Sequence, residues 1–150
     1  FMQNWIAGNW PDRFKCLVSH DGNLDETMAY FDTEELWFPE WEHGGAPWEN
    51  PEGMQRNNPT TYARNFRTPM LIIHGEKDYR VPYVNGTALY GIYQAMGLPS
   101  RLVIFPDENH WILTPQNSIY WNWEFQAWLA RWIGGQPTLE KPVFGAADTK

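Results

Sequence analysis

Two residues suited to acid–base chemistry each follow an apolar run: Asp78 comes after "MLIIHG" and His110 after "RLVIF". They are 32 residues apart, about the length of one strand–helix–strand unit. If the two runs are neighbouring parallel strands, both side chains leave the sheet at the same edge. A carboxylate there can hold an imidazole in one tautomer and stabilise its protonated form. The pair is therefore a candidate acid and base.

A nucleophile for this pair is harder to find. Ser19, Ser100 and Ser118 all lie outside a Gly-x-Ser-x-Gly setting, which a strained nucleophile elbow requires. The alternative interpretation is that Asp78 caps a turn and His110 is a surface loop residue. No His, Asp or Glu set has the spacing of a zinc or iron site, and no Gly-rich phosphate loop occurs, so neither metal nor cofactor is expected.

The other three histidines have simpler interpretations. His20 with Asp21 could form a ligand or orienting pair, although capping of a turn is the favoured role. His43 lies in a Gly-rich stretch and is expected in solvent. His74 precedes Gly75 at the end of an apolar run, where a hydrogen-bonded structural role is expected.

The elements that must position these residues are clearest in the second half of the chain. "PMLIIHG" and "RLVIFP" contain uninterrupted apolar runs at 70–73 and 102–105, as strands covered on both faces do. "YVNGTALYGIYQAMG" and "PQNSIYWNWEFQAWLARWIGG" are predicted helices, the second with a core stripe of aromatic residues, and a further short strand is predicted at 16–19. Strand and helix in alternation predict an α/β fold with a three-layer parallel sheet. The order Asp then His is that of α/β-hydrolases.

Between these strands the pattern is irregular. "LDETMAYFD" and "TEELWFPEW" predict one or two helices broken at Pro39, and "HGGAPWENPEG" predicts a loop. Ten acidic residues and no Lys or Arg fall between Lys15 and Arg56. This run is typical of a solvated face, or else provides a field that attracts a cationic end of a substrate.

Composition excludes several classes of protein. The formal net charge of −7 argues against a nucleic-acid partner, which would require a basic stripe. No apolar run approaches the roughly 20 residues that span a bilayer, so no membrane partner is expected. The single Cys16 excludes an internal disulfide and leaves the compartment open, periplasmic or cytoplasmic for a bacterial chain.

Two strings carry a specific resemblance, "GEKDYRVP" and "PDENH", and with the Trp-rich final helix they resemble the C-terminal end of the prolyl oligopeptidase family. The closest likeness is to its dipeptidyl-peptidase and acylaminoacyl-peptidase branches. The resemblance implies an α/β-hydrolase domain portion over 1–135 with a C-terminal tail over 136–150. It implies that Asp78 is the acid and His110 the general base of a catalytic triad.

The same resemblance places the chain within the family's sequence. "FMQNWIAGNWPDRFKC" is similar to the segment directly after the family's Gly-x-Ser-Tyr-Gly-Gly elbow. The nucleophilic Ser is then expected about four residues before Phe1, and a β-propeller further upstream. The expected partners are a short peptide substrate, this N-terminal part of the same protein and, in addition, a second copy in a homodimer.

Substrate-binding residues are also implied by the resemblance. Val81, three residues after the acid, is a candidate for the specificity pocket, as are Leu24 and Met28 after the first strand. Arg80 falls where relatives place a side chain that contacts substrate carbonyl groups. The alternative for Arg80 is an ion pair with one of the acidic residues of the 20–52 segment.

Three functions remain open at this point. The first is a serine peptidase that releases dipeptides or acylated residues from the N-terminus of short peptides. The second is an esterase or lipase with the same triad, and the third is a non-catalytic relative that uses the acidic segment for binding. A Gly-x-Ser-Tyr-Gly-Gly elbow with propeller repeats upstream would favour the peptidase, and a His-Gly-Gly-Gly-type loop the esterase.

Overall fold

A computed structural model describes residues 1–143, and its centre is a parallel sheet of three strands in the order β1-β2-β3. The strands are β1 (Leu17–His20), β2 (Met70–Gly75) and β3 (Ser100–Phe105). A 3₁₀ helix spans Pro59–Asn65, and the α-helices are α1 (Met2–Asn9), α2 (Glu26–Asp32), α3 (Trp37–His43), α4 (Pro51–Arg56), α5 (Val84–Ala95) and α6 (Pro115–Ile133). The predicted α/β class and parallel sheet are confirmed.

The central strand β2 is buried along its whole length. Its side chains alternate between the two faces of the sheet, as the pleat requires. Met70 and Ile72 pack in one apolar cluster with residues of α1 and α5, and Leu71 and Ile73 pack in a second cluster with Trp128 of α6. Burial on both faces explains why the first four residues of the strand are all apolar and why the fold has three layers.

Helix α6 is tied to the first strand by two indole groups. Trp128 Nε1 donates to the Leu17 carbonyl at 3.1 Å, and Trp121 Nε1 donates to His20 Nδ1 at 2.7 Å. Trp128 is buried and Trp132 is partly buried against the same cluster, which agrees with the predicted core stripe. The helix thereby fixes the carboxyl end of β1.

The segment between β1 and β2 contains more helix than its sequence predicts. Pro39 lies inside α3 and does not break a helix, because the N–H groups of a first turn have no intrahelical partner to lose. Part of the predicted loop forms α4, which begins at Pro51 with the Asn50 side chain as its N-cap.

The predicted tail at 136–150 has only 136–143 among the described residues, without helix or strand there, and 144–150 lie outside them. Of the helices within residues 1–143, none is both long and apolar enough to cross a membrane.

Candidate active site

Asp78 and His110 meet at the carboxyl edge of the sheet. His110 Nδ1 lies 2.7 Å from Asp78 Oδ2. The register explains the meeting, because β2 and β3 are paired neighbours up to Gly75 and Phe105 and both residues follow within five positions. The Asp78 side chain is fully buried, whereas a third of the His110 side chain is exposed. The imidazole is therefore held from the protein side and accessible from outside.

The two oxygens of Asp78 have separate roles. Oδ1 accepts hydrogen bonds from the backbone N–H groups of Arg80 at 3.0 Å and Val81 at 2.9 Å. Such an Asx-type turn fixes the carboxylate without using its second oxygen. Oδ2 is thus free to face His110.

Glu108 holds the loop that carries His110, a role that was not predicted from the sequence. Its side chain accepts hydrogen bonds from the backbone N–H groups of Leu113 and Thr114 and from Asn117 at the start of α6. Burial opposes the ionisation of Glu108, but these hydrogen bonds outweigh it and lower its pKa below the usual range. The sequence does contain a signal for this role, because Glu108 lies six residues before Thr114-Pro115, where α6 begins. Carboxylates are favoured near the N-terminus of a helix.

Gly75 permits the close approach of β2 to this loop. The backbone continues the pairing of the two strands, with Glu76 N donating to Phe105 O and Lys77 N to Glu108 O, both at 2.9 Å. A Cβ atom at position 75 would lie 2.1 Å from the Asn109 carbonyl oxygen and 2.7 Å from the Glu108 carbonyl oxygen. The glycine is therefore required by the backbone that positions His110.

Gly75→Ala is expected to displace the His110 loop and to lower kcat of the complete enzyme at least about tenfold, because small misplacements of catalytic groups are costly. Steady-state kinetics of the purified variant would measure this. Gly91→Ala is the matched control, since nothing lies within 4 Å of a Cβ at that helical position. Equal activity of the two variants would contradict the positioning role.

A second layer of polar groups lies beneath the pair. Asp21 does not cap a turn as expected: its Oδ1 accepts from Gly75 N at 3.2 Å and its Oδ2 forms a short contact with His20 Nε2. His74, structural as predicted, is completely buried and lies 2.7 Å from the Val81 carbonyl oxygen through Nε2. Burial lowers the pKa of His74, despite the opposing effect of Asp21 and Asp78.

Three of these side chains carry metal-type ligand atoms within 4.8 Å of one another, namely Asp21, His74 and Asp78. Each is already engaged, since the Asp21 carboxylate contacts His20, the His74 Nε2 faces a carbonyl, and Asp78 faces His110. This donor set fits a hydrogen-bonded network rather than a metal centre.

A cavity of about 800 Å³ opens beside His110. Val81 and Arg80 line it, as do residues of α2 and α3 that include Phe38 and Trp41. Leu24 and Met28 do not line it: Leu24 is 2% exposed and belongs to the apolar core beneath α1, because the chain turns inward before α2 begins. Met28 lies on α2 without reaching the cavity wall.

Arg80 is bound by acidic side chains. Its guanidinium contacts Glu35 at 3.0 Å, with Glu34 at 3.8 Å, which is the alternative that the sequence left open.

His43 is not in solvent as expected, because its ring lies 3.0 Å from Glu26 and is only 11% exposed. The buried Glu26 carboxylate provides the partner that holds the ring inside. Burial raises the pKa of Glu26, although His43 opposes this.

No serine of the chain lies beside His110, and all three are among the described residues. Ser19 is buried in β1, Ser100 begins β3 at the opposite edge of the sheet, and Ser118 lies in α6. The described residues thus bring Asp78 and His110 into contact without a serine beside them.

The chain is similar to several known proteins. The chain is 39% identical over 137 residues to dipeptidyl-peptidase 5 of Porphyromonas endodontalis, which covers 89% of this chain and 20% of that protein. It is 44% identical over 146 residues to dipeptidyl-peptidase 5 of Aspergillus oryzae, covering 95% of this chain and again 20% of the relative. The chain spans about a fifth of the length of these curated relatives.

A solved structure, the acylaminoacyl peptidase of Pyrococcus horikoshii, superimposes with a TM-score of 0.79 at 24% identity. The superposition covers 95% of this chain and 23% of that one, and it supports the α/β-hydrolase fold. The family model for the prolyl oligopeptidase family matches residues 1–136. The chain therefore belongs to the prolyl oligopeptidase family.

Proposed function

We propose that this chain provides the general base and the orienting acid of a serine peptidase. The observation that supports this best is the 2.7 Å contact between His110 Nδ1 and a fully buried carboxylate, at the edge of a cavity large enough for a short peptide. With Nδ1 bound to Asp78, the other ring nitrogen is left to exchange protons with reacting groups.

The proposed chemistry uses both nitrogens of the His110 ring. His110 Nε2 takes the proton of a serine hydroxyl as the serine oxygen attacks the scissile carbonyl carbon. The imidazolium then gives this proton to the leaving amine as the C–N bond breaks, and water repeats the sequence to release the acyl group. The serine is proposed to come from outside these 150 residues, in the segment expected before Phe1.

The proposed substrates are short peptides, released as N-terminal dipeptides or as acylated residues. Relatives named dipeptidyl-peptidase 5 support the first product and the neighbour named acylaminoacyl peptidase the second. Val81 beside His110 is proposed to line the specificity pocket. Arg80 is proposed to contact substrate carbonyl groups, with Glu35 holding its guanidinium in the cavity wall.

One observation favours a substrate with a free amino end. The cavity is lined by Glu26, Glu35 and Glu42; Glu35 pairs with Arg80, the His43 ring contacts Glu26, and Glu42 has no ion pair within residues 1–143. The excess of carboxylates would attract a cation, which a dipeptidyl substrate has at its amino terminus and an acylated substrate lacks. We therefore place dipeptide release ahead of release of acylated residues, of ester hydrolysis and of a purely binding role.

The test uses the complete protein and three nitroanilide or ester substrates: a dipeptidyl nitroanilide, its N-acetylated aminoacyl counterpart and a short-chain nitrophenyl ester. The expected result is the largest kcat/KM on the dipeptidyl amide and covalent labelling by a fluorophosphonate. Turnover of the ester alone would overturn the peptidase proposal in favour of an esterase. Absence of labelling and turnover would favour the binding relative.

A further inference from the structure

A second buried carboxylate lies behind Asp78, and the proposed mechanism does not use it. Asp21 is 6% exposed and Asp78 is 2% exposed. Both end parallel neighbouring strands, and the backbone N–H of Asp21 donates to the Ile73 carbonyl at 3.0 Å. Two carboxylates at one sheet edge repel each other unless something between them compensates.

The group between them is His74. Its Nε2 lies 3.6 Å from Asp21 Oδ1 and 3.7 Å from Asp78 Oδ2, and it donates to the Val81 carbonyl. Its Nδ1 is buried with no hydrogen-bond partner in residues 1–143, where Gly86 of α5 packs against it. A second proton on the ring would be buried without an acceptor, so His74 stays neutral.

His20 does not neutralise Asp21 either. Its Nδ1 accepts a hydrogen bond from the indole N–H of Trp121, which can only donate. The single ring proton is therefore on Nε2, directed at Asp21. Burial opposes the protonated form of His20, whereas the hydrogen bond and charge of Asp21 raise the pKa of the ring. A second proton would nevertheless have to sit on Nδ1, where it would face the indole N–H of Trp121.

We propose that Asp21 is a positioning residue whose buried charge supports the protonated form of His110 during turnover, and that Trp121 preserves this charge by keeping His20 neutral. The proposal rests on the proposed function. Carboxylate oxygens of Asp21 and Asp78 lie within 4.8 Å of one another, and Asp78 Oδ2 lies 2.7 Å from His110 Nδ1. The charge of Asp21 therefore acts on His110 through the protein interior, where screening by solvent is weak.

Other charges near His110 are more exposed or are already paired. Water and salt screen the exposed charges around the cavities that His110 lines. Glu26, Glu35 and Glu108 are engaged by His43, by Arg80 and by the start of α6. The titratable and charged groups in the two cavities that His110 lines are Glu26, Glu34, Glu35, Glu42 and His43 from the α2–α3 segment and Lys77 and Arg80 after β2. Behind His110 lie His20 at the end of β1, Asp21 directly after it, His74 and Asp78, and its own loop carries Asp107 and Glu108.

The test is the pH dependence of kcat/KM in the complete enzyme with Asp21→Asn. The amide keeps the shape and can still accept from Gly75 N, but it has no charge. Because an anion near His110 favours its protonated form, its removal should move the acidic limb of the profile about one unit to lower pH. The plateau should fall about tenfold as the base weakens.

Two further variants keep the outcome decisive if Asp21→Asn folds poorly. Trp121→Phe removes the donor that keeps His20 neutral, so His20 can gain a proton opposite Asp21 and the acidic limb should move in the same direction. Asp21→Glu retains the charge and should leave the limb unmoved, whatever happens to the plateau. Asp107→Asn, exposed in the His110 loop, is the control.

The outcomes separate the two proposals. If the parent enzyme cleaves the dipeptidyl substrate but Asp21→Asn and Trp121→Phe lose activity with an unmoved acidic limb, Asp21 is merely structural and the inference is overturned. If the parent cleaves nothing, the proposed function itself fails.

Discussion

Replacement of His110 by alanine is expected to lower kcat/KM of the complete enzyme by about 10⁴-fold, the upper range for a general base. The loss should appear in kcat, with KM nearly unchanged, because the imidazole transfers a proton in the transition state and contributes little to ground-state binding. Reactivity with a fluorophosphonate should fall in parallel, since the same base activates the nucleophile. Initial rates on a dipeptidyl nitroanilide would measure both parameters.

The adjacent Asn109→Ala variant is the matched control. Asn109 is exposed in the same loop, and its side chain only accepts from Trp111 N at 2.9 Å. It should retain nearly full activity. His110 is a third exposed, so its loss should not lower the melting temperature appreciably. A folded His110→Ala enzyme with substantial turnover would disprove the assignment of the base.

Asp78→Asn is expected to lower kcat by about 10⁴-fold without loss of the fold. The Asx-type turn explains the size of the effect. If the Asn carbonyl oxygen keeps the two backbone donors at Arg80 and Val81, the amide NH₂ must face His110 Nδ1. Two donors cannot share that contact, so Nδ1 becomes the acceptor and the ring proton moves to Nε2. The imidazole is then in the wrong tautomer to accept the proton of the nucleophile.

The control for this variant is Asp107→Asn, which changes the same functional group at an exposed position. Circular dichroism and thermal melting of both variants would verify the fold, and stopped or continuous assays would give kcat. If Asp78→Asn retained more than about a tenth of the parental kcat, the acid would have to be another carboxylate, and Asp21 would be the first to test.

Strands and helices whose apolar residues recur at a regular spacing were predictable from the sequence. The run Met70–Gly75 is buried at all six positions, and such a run has few alternatives to a central parallel strand. The spacing of the α6 tryptophans likewise predicts a helix with one packed face. The resemblance to the family added the functional assignment of Asp78 and His110, and the contact between them agrees with it.

The segment between β1 and β2 was less predictable because its helices are short and amphipathic patterns cannot develop within seven residues. Pro39 is a helix breaker in most contexts but is tolerated in a first turn, and only the actual start of α3 reveals which applies. His43 is a similar case. Its neighbours Gly44 and Gly45 suggest an open loop, whereas contact with Glu26 places the His43 ring in the wall of the cavity beside His110.

The sequence by itself determined the fold class, because hydrophobic periodicity is local, and it predicted Asp78 and His110 as acid and base from short continuous strings that resemble the family. Only the tertiary structure decided how these groups are supported: Glu108 beneath the His110 loop, Asp21 and His74 behind Asp78, and Glu35 beside Arg80. These contacts join residues from different strands and loops. Their geometry depends on strand order and register, which set the distances between side chains far apart in the sequence.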